Sequence, residues 1–177
     1  ILSFPEVREK LYSLGFEAPV ILGYGLLAME PGERQFLFHN HQDLRGHTSM
    51  HSVNLWIPLN DGKSLGGFGI YRGSHKCGPR KHDVADDGHL EIPNQAIGDH
   101  ERVMIEDARV GDVVYFSPYS VHWSIANEGS DIRWTVSMGI DDGAKAPHLM
   151  SQRSPFVPED FIDTSTNIRN NYDVIYH

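Results

Sequence analysis

The 177-residue sequence has little cysteine, little positive charge and no long apolar run. Its single cysteine, Cys77, excludes an internal disulfide framework and is typical of a reducing compartment, which predicts a cytoplasmic protein. Fifteen lysines and arginines stand against 24 aspartates and glutamates, and this balance argues against binding to a nucleic-acid backbone. No apolar run approaches the roughly 18 residues of a membrane span, and no basic segment followed by an apolar one resembles a signal peptide. We therefore expect neither nucleic acid nor membrane as a partner.

Apolar residues make up 40% of the chain, which is enough to bury one core. The length is too short for two ordinary domains, so we predict a single domain over residues 1–177. Near the start, "SFPEVREKLYSLGF" predicts a short helix. Ser3 and Glu6 have the spacing of a capping box, Pro5 suits the first turn and Gly15 suits the end.

After this helix the pattern changes to that of β-strands. About eight segments rich in apolar and β-branched residues are separated by turn residues. They are "VILGYGLLAM", "RQFLFHN", "SVNLWIPLN", "GGFGIY", "RVMIED", "GDVVYF", "VHWSIAN" and "DIRWTVSMGI". This count predicts a mainly β sandwich or barrel. The polar stretch from Cys77 to Asp99 is rich in Gly, Pro, His and Asp, and we expect it to form a long surface loop inserted between strands.

Three of the predicted strands carry one apolar face and one mainly polar face, because successive side chains point to opposite sides of a sheet. The polar faces hold His122, Ser124, Arg133 and Asn54 rather than the Lys, Glu and Thr of a solvated sheet. Trp56 shares the face of Asn54. This composition favours a polar pocket, which Asn54 and Trp56 are expected to line.

His41 and Asp43 are two residues apart, so in an extended segment their side chains leave the same face. A second histidine would complete the two-histidine, one-carboxylate set of non-haem Fe(II) centres, and His122 is the natural third ligand. The tripeptide alone is weak evidence, since the chain has eleven histidines.

Over roughly residues 20 to 141 the sequence resembles the phytanoyl-CoA dioxygenase family of Fe(II)/2-oxoglutarate oxygenases. The resemblance rests on the order of five blocks and on the interval between His122 and Arg133. The blocks are "HQD", "VNLWIPLND", "GGFGIYRGSHKCG", "GDVVYFSPYSVHWSIANEG" and "IRWTVSMGI".

The resemblance implies a double-stranded β-helix, that is a cupin-like jelly roll, with Fe(II) held by His41, Asp43 and His122. Arg133 would bind the far carboxylate of 2-oxoglutarate, and Ser124 would support it. A guanidinium inside a barrel needs an anionic partner, and a carboxylate offers bidentate geometry.

Further residues receive weaker assignments. Tyr24, Gln35 and Asn54 are candidates for contacts with the cofactor site. Arg72 stands where the family commonly has proline, so it and His75 in the same turn are candidate substrate contacts, as is Trp56.

Several basic residues could form a rim around the mouth that favours an anionic small-molecule substrate, although a solvated loop is the alternative. They are Arg45, His47, Arg72, Lys76, Arg80 and Lys81.

The implied reaction consumes dioxygen and 2-oxoglutarate, releases succinate and carbon dioxide, and hydroxylates a small molecule. The presence of Asp43 favours hydroxylation or another oxidation, since related halogenases have a small residue there. One alternative is a cupin-like metalloenzyme that does not use 2-oxoglutarate. Another is a jelly-roll binding module in which the histidines are incidental.

Overall fold

The computed structural model describes residues 1–32, 37–44, 49, 51–86 and 88–146. The elements follow in the order α1 (Pro5–Ser13), β1 (Pro19–Met29), β2 (Val53–Pro58), β3 (Gly67–Tyr71), a 3₁₀ turn (Ser74–Cys77), β4 (Asp83–Val84), β5 (Leu90–Glu91), the short α2 (Asn94–Ile97), β6 (Arg102–Ile105), β7 (Val114–Phe116), β8 (His122–Ile125) and β9 (Arg133–Asp142). In this described part of the chain, no helix has the length and apolar character needed to cross a membrane.

Two antiparallel sheets form the body of the protein. One has the strand order β1-β9-β2-β7 and the other β6-β3-β8, while β4 and β5 make a separate hairpin. Side chains from both sheets meet in one buried cluster, in which Trp56 of β2 packs near Phe68 of β3 and Phe116 of β7. This mainly β arrangement with a short N-terminal helix confirms the predicted fold class.

Helix α1 covers the outer face of the four-stranded sheet. Val7 and Leu11 pack into a cluster with Leu55 of β2. Gly15 takes a left-handed φ of 87°, which ends the helix as predicted and lets the Phe16 amide donate to the Leu11 carbonyl at 3.1 Å. The expected capping box is wrong: Phe4 is the N-cap residue and makes no side-chain cap hydrogen bond.

The alternation predicted for β2 is confirmed. Leu55 belongs to the cluster under α1, whereas Trp56 joins the cluster between the sheets and Asn54 lines a cavity. Leu59, which the pattern placed with the apolar face, is 45% exposed because β2 ends at Pro58. Trp134 on β9 is also less covered than its predicted apolar face implies, with 39% exposure.

The insertion from Cys77 to Asp99 is more ordered than a polar surface loop. It contains the β4–β5 hairpin and α2. Ile92 and Ile97 are buried in a cluster with Tyr71 and Val121, next to the start of β8. These two isoleucines therefore anchor the insertion to the three-stranded sheet.

Candidate metal centre

The segment that carries His41 is held against strand β8. The His41 amide donates to the His122 carbonyl at 2.9 Å, and the His122 amide donates to the His41 carbonyl at 3.0 Å. This isolated antiparallel bridge places the two imidazole rings side by side, with centroids 4.1 Å apart. The predicted convergence of the two histidines is thus present.

Asp43 faces both imidazoles. Its Oδ1 lies 3.4 Å from His41 Nε2 and its Oδ2 lies 3.4 Å from His122 Nε2. On the other side of each ring, His41 Nδ1 lies 2.6 Å from the His39 carbonyl oxygen and His122 Nδ1 lies 2.9 Å from that of Ser120. A carbonyl oxygen only accepts, so each Nδ1 carries a proton, and Nε2 is the nitrogen of each ring that faces Asp43 and would bind a metal.

This donor set fits a divalent transition metal. The ligand atoms of His41, Asp43 and His122 all lie within 4.8 Å of one another. Burial alone would raise the pKa of Asp43, but the adjacent imidazoles of His122 and His41 hold that pKa well below its usual range, so the carboxylate is ionised at neutral pH. Two neutral imidazoles and one carboxylate form the facial set that leaves coordination positions open on Fe(II).

Three neighbours orient these ligands. Asn54 Nδ2 donates to Asp43 Oδ2 at 2.7 Å. Phe68 stacks on His122 with centroids 5.3 Å apart, and Phe116 meets the same ring edge-on at 4.7 Å. The strand pattern predicted Asn54 at the site but neither phenylalanine. Their strands were found, but a local pattern does not show which aromatic ring packs on which imidazole.

Gln42, between the two ligands of the HQD tripeptide, was also missed. Its side chain is buried, and its Nε2 donates to the carbonyls of Gly78 and Tyr119, while its Oε1 accepts from the Arg80 amide at 2.8 Å. These bonds tie the ligand-bearing turn to the insertion and to the loop that leads into His122. Such outer contacts fix the orientation of metal ligands.

Arg133 is buried, with only 6% exposure. Its Nη1 donates to the carbonyls of Ile125, Gly67 and Leu65 at 2.8 to 3.2 Å, Nη2 lies 3.1 Å from Met29 Sδ, and Nε has no partner. Among the described residues no carboxylate forms an ion pair with it. Burial lowers the pKa of Arg133 to about 10, so the group remains cationic at neutral pH. A buried cation without an acid suits an anionic ligand.

The His–Asp–His triad and Arg133 line the same cavity, which has a volume of about 900 Å³. Four other predicted residues also line it: Tyr24, Asn54, Trp56 and Ser124. Tyr24 is 79% exposed, which places it at the mouth. The Ser124 amide donates to the Phe38 carbonyl at 2.9 Å, and this bond holds the edge of β8 against the segment that leads to His41.

Two predicted substrate contacts lie outside the cavity lining. Arg72 is half exposed and pairs with Glu101 at 2.9 Å, and His75 lies in the 3₁₀ turn. Of the residues expected in a basic rim, Lys81 pairs with Asp83 at 2.8 Å and Arg80 donates to the Ala96 carbonyl, so the rim stays a prediction. Gln35, Arg45 and His47 lie outside the described residues.

Removal of the Asn54 amide should weaken the metal centre without removing a ligand. We expect Asn54→Ala to lower Fe(II) affinity by about 10- to 100-fold, because Asp43 loses the donor that orients it. Anaerobic competition with a chromophoric chelator measures this affinity. Gln95→Ala, which removes another amide at an exposed position of α2, is the control. Equal affinity in the two variants would show that Asn54 does not support the carboxylate.

Comparisons with known proteins agree with this geometry. The family model described as phytanoyl-CoA dioxygenase matches residues 25–135. A 1-deoxypentalenic acid 11-beta-hydroxylase from Streptomyces exfoliatus is 37% identical over 79 residues, which cover 41% of this chain and 28% of that protein. A second such hydroxylase, from Streptomyces arenae, is 35% identical over 83 residues and is covered to 29%. The matched part of the chain thus spans less than a third of these relatives.

Solved structures show the same fold. The non-heme alpha ketoglutarate dependent carbocyclase SnoK from nogalamycin biosynthesis has a TM-score of 0.58 at 22% identity, over 87% of this chain and 68% of that one. The epimerase SnoN, in complex with Fe3+, alpha ketoglutarate and nogalamycin RO, has a TM-score of 0.58 at 17% identity, over 97% of this chain and 74% of that one. Because the family model covers more than half of the sequence, the chain belongs to the phytanoyl-CoA dioxygenase family.

Proposed function

We propose that this protein is an Fe(II)- and 2-oxoglutarate-dependent oxygenase that hydroxylates a small molecule. His41, Asp43 and His122 would hold Fe(II), and Arg133 would bind the far carboxylate of 2-oxoglutarate. One observation carries the proposal: a His–Asp–His triad and a buried guanidinium that no described acid neutralises share a single cavity.

When bound, iron and 2-oxoglutarate supply the oxidation, in which dioxygen gives one oxygen atom to succinate and one to the substrate as carbon dioxide leaves. The protein supplies geometry and electrostatics. Asp43 contributes the negative charge at the metal, and Asn54 keeps that carboxylate in place. Phe68 and Phe116 pack on the ring of His122 and shield it from water. Arg133 would orient the diacid from the wall of the same cavity.

The relatives support this reading by analogy. The two Streptomyces proteins are hydroxylases, and SnoN binds Fe3+ and alpha ketoglutarate. A cupin-like enzyme without 2-oxoglutarate would have no use for Arg133, whose burial is costly unless an anion reaches it. We also propose a single jelly-roll domain in a cytoplasmic protein, as the length and the lone cysteine predict.

The substrate that fits the described lining is not strongly anionic. Arg133 is the only lysine or arginine among the described residues of the cavity wall, and the proposal already assigns it to 2-oxoglutarate. Arg72 and Lys81, two members of the expected basic rim, are paired with acids. An anionic substrate would therefore find little complementary charge in this part of the protein.

Calorimetry under anaerobic conditions tests the proposal. We expect the Fe(II)-loaded protein to bind 2-oxoglutarate, and addition of dioxygen to yield succinate. Zn(II) is the matched control, because it accepts the same ligands but has no redox chemistry, so the Zn(II) form should bind 2-oxoglutarate and make no succinate. Failure of the Fe(II) form to bind 2-oxoglutarate contradicts the proposal and favours the cupin-like alternative.

A further inference from the structure

Strand β1 contains two glycines, Gly23 and Gly25, in the middle of an otherwise apolar strand of 11 residues. Glycine weakens the interior of a strand, and it commonly marks a bulge or a close approach of a ligand. A register irregularity lies between Ile21 and Gly23, which gives Gly23 a partial structural reason. No irregularity is present at Gly25, so its glycine needs another explanation.

The fold does not require glycine at either position. Neither residue is among the described glycines with positive φ, and an added Cβ at either would meet no described atom within 4 Å. Gly69 is the contrasting case, because its Cβ would lie 2.1 Å from the Trp123 ring. Packing therefore explains Gly69, whereas Gly23, which is exposed, and Gly25, which is partly buried, border open space along the cavity wall.

The strand register places this open space beside the metal centre. Gly23 pairs with Gly139 of β9, which pairs in turn with Asn54 of β2, and Gly25 pairs with Ser137. We call Gly23, Gly25, Ser137 and Gly139 the glycine floor. At ~4.8 Å between strands, Gly23 lies about 10 Å across the sheet from Asn54, the residue that donates to Asp43. The floor itself measures roughly 5 by 7 Å.

A second feature shows that this cavity is built for ligands. The inner face of β9 that carries Ser137 and Gly139 also carries Arg133, whose buried Nε has no partner. The cavity volume of about 900 Å³ is near the upper end of the range that holds drug-sized ligands, roughly 300–1,000 Å³, and exceeds what 2-oxoglutarate alone needs. Space for a second, larger molecule remains.

The walls around the floor define its chemistry. Leu27, Leu44, Leu90 and Phe38 contribute apolar surface. Among the described lining residues the only ionised groups, apart from any protonated histidine, are Asp43 and Arg133, and both have roles at the metal and the cosubstrate. A flat area whose one side chain is the small Ser137 suits a rigid ring system, which loses no rotor entropy on binding, better than a flexible chain.

We propose that the substrate is a rigid, fused-ring, largely apolar small molecule that lies on the glycine floor and presents a C–H bond to the metal, with Gly25 as a specificity-determining residue. This inference rests on the proposed oxygenase function for the metal, but the floor itself can be tested by binding alone.

The test compares the wild type with Gly25→Ala and Gly25→Val. The ligands are 2-decalol, a fused bicyclic alcohol, and 1-decanol, a linear alcohol of equal carbon number. Each displaces the neutral fluorescent probe N-phenyl-1-naphthylamine from the Fe(II)- and 2-oxoglutarate-loaded protein under anaerobic conditions. Leu26→Val is the matched control, since Leu26 is exposed on the same strand and outside the cavity lining.

We expect Gly25→Val to weaken 2-decalol binding by about tenfold or more, because a few added carbons in an apolar pocket discriminate by about 10- to 200-fold. Gly25→Ala should give a smaller loss, and Leu26→Val none. The loss for 1-decanol should be smaller, because a flexible chain can avoid the new side chain. Thermal unfolding of Gly25→Val should occur at or above the wild-type temperature, because valine favours strands and its Cβ would meet no described atom within 4 Å.

Unchanged 2-decalol affinity in Gly25→Val overturns the inference, and so does an equal loss for the two alcohols. If Gly25→Val does not fold, Gly25→Ala decides by the same comparison. The proposed function is tested separately, because a wild-type protein that cannot bind 2-oxoglutarate would refute that function. In that case the two alcohols can still be compared on the metal-free protein, and their affinities test the glycine floor.

Discussion

Asp43→Ala is expected to lower Fe(II)-dependent succinate formation by more than about 100-fold, the upper end of the loss seen when only an outer contact of a metal ligand is removed. Asp43 supplies the only carboxylate among the described ligand atoms and faces both imidazoles at 3.4 Å. Without it, two neutral histidines would have to hold a dication with no negative charge nearby. Succinate release from 2-oxoglutarate, measured by mass spectrometry after anaerobic Fe(II) loading, gives the rate.

Asp107→Ala is the control for this variant, because Asp107 is an exposed aspartate in the turn after β6. It should keep wild-type turnover. The metal-free Asp43→Ala protein should still unfold cooperatively but at a lower temperature than the wild type, because the buried Asn54 amide loses its acceptor and the two imidazoles lose the adjacent carboxylate. Wild-type turnover in Asp43→Ala would contradict a role for this metal centre in the reaction.

The second large effect is expected at Arg133. Arg133→Ala should weaken 2-oxoglutarate binding by about 3–5 kcal/mol, or between two and four orders of magnitude, because a carboxylate would be left buried without its partner. Calorimetry on the Fe(II)-loaded protein measures this loss. Fe(II) affinity itself should change little, because Arg133 is not one of the metal ligands. This separation distinguishes a cosubstrate anchor from a residue that merely supports the fold.

Arg133→Lys refines the same experiment. Lysine keeps the charge but has no planar fork, so it cannot replace a bidentate guanidinium, and we expect an intermediate loss of 2-oxoglutarate affinity. Arg109→Ala, at an exposed loop position, should bind 2-oxoglutarate as the wild type does. Equal binding of 2-oxoglutarate by Arg133→Ala and the wild type would contradict the role assigned to Arg133. It would favour a metalloenzyme that works without this cosubstrate.

Much of the architecture was predictable because strand patterns are local. The alternation in β2 and β9 identified which side chains leave each face, and Asn54, Arg133 and Ser137 do line the cavity. The pattern predicted burial wrongly beyond the end of a strand and where nothing covers the strand's face. Leu59 lies beyond the last residue of β2 and Trp134 is partly exposed, since alternation assigns a face without showing whether anything covers it.

The candidate site was predictable only in part. The HQD spacing and the family resemblance predicted three metal ligands, and the structure brings these three residues together. The local sequence pattern did not predict the hydrogen bonds of Gln42 or the stacking of Phe68 on His122. Arg72, a plausible substrate contact by its position in a motif, instead pairs with Glu101.

By itself, the sequence determined the strand periodicity, the chemistry of each face and the family, because these depend on residue type and on spacing along one segment. Only the tertiary structure decided that His41 lies against His122, that Asn54 reaches Asp43 and that Gly25 borders open space. Those facts depend on the register between distant strands and on how two sheets close around a cavity. Periodicity within a single strand carries no information about either.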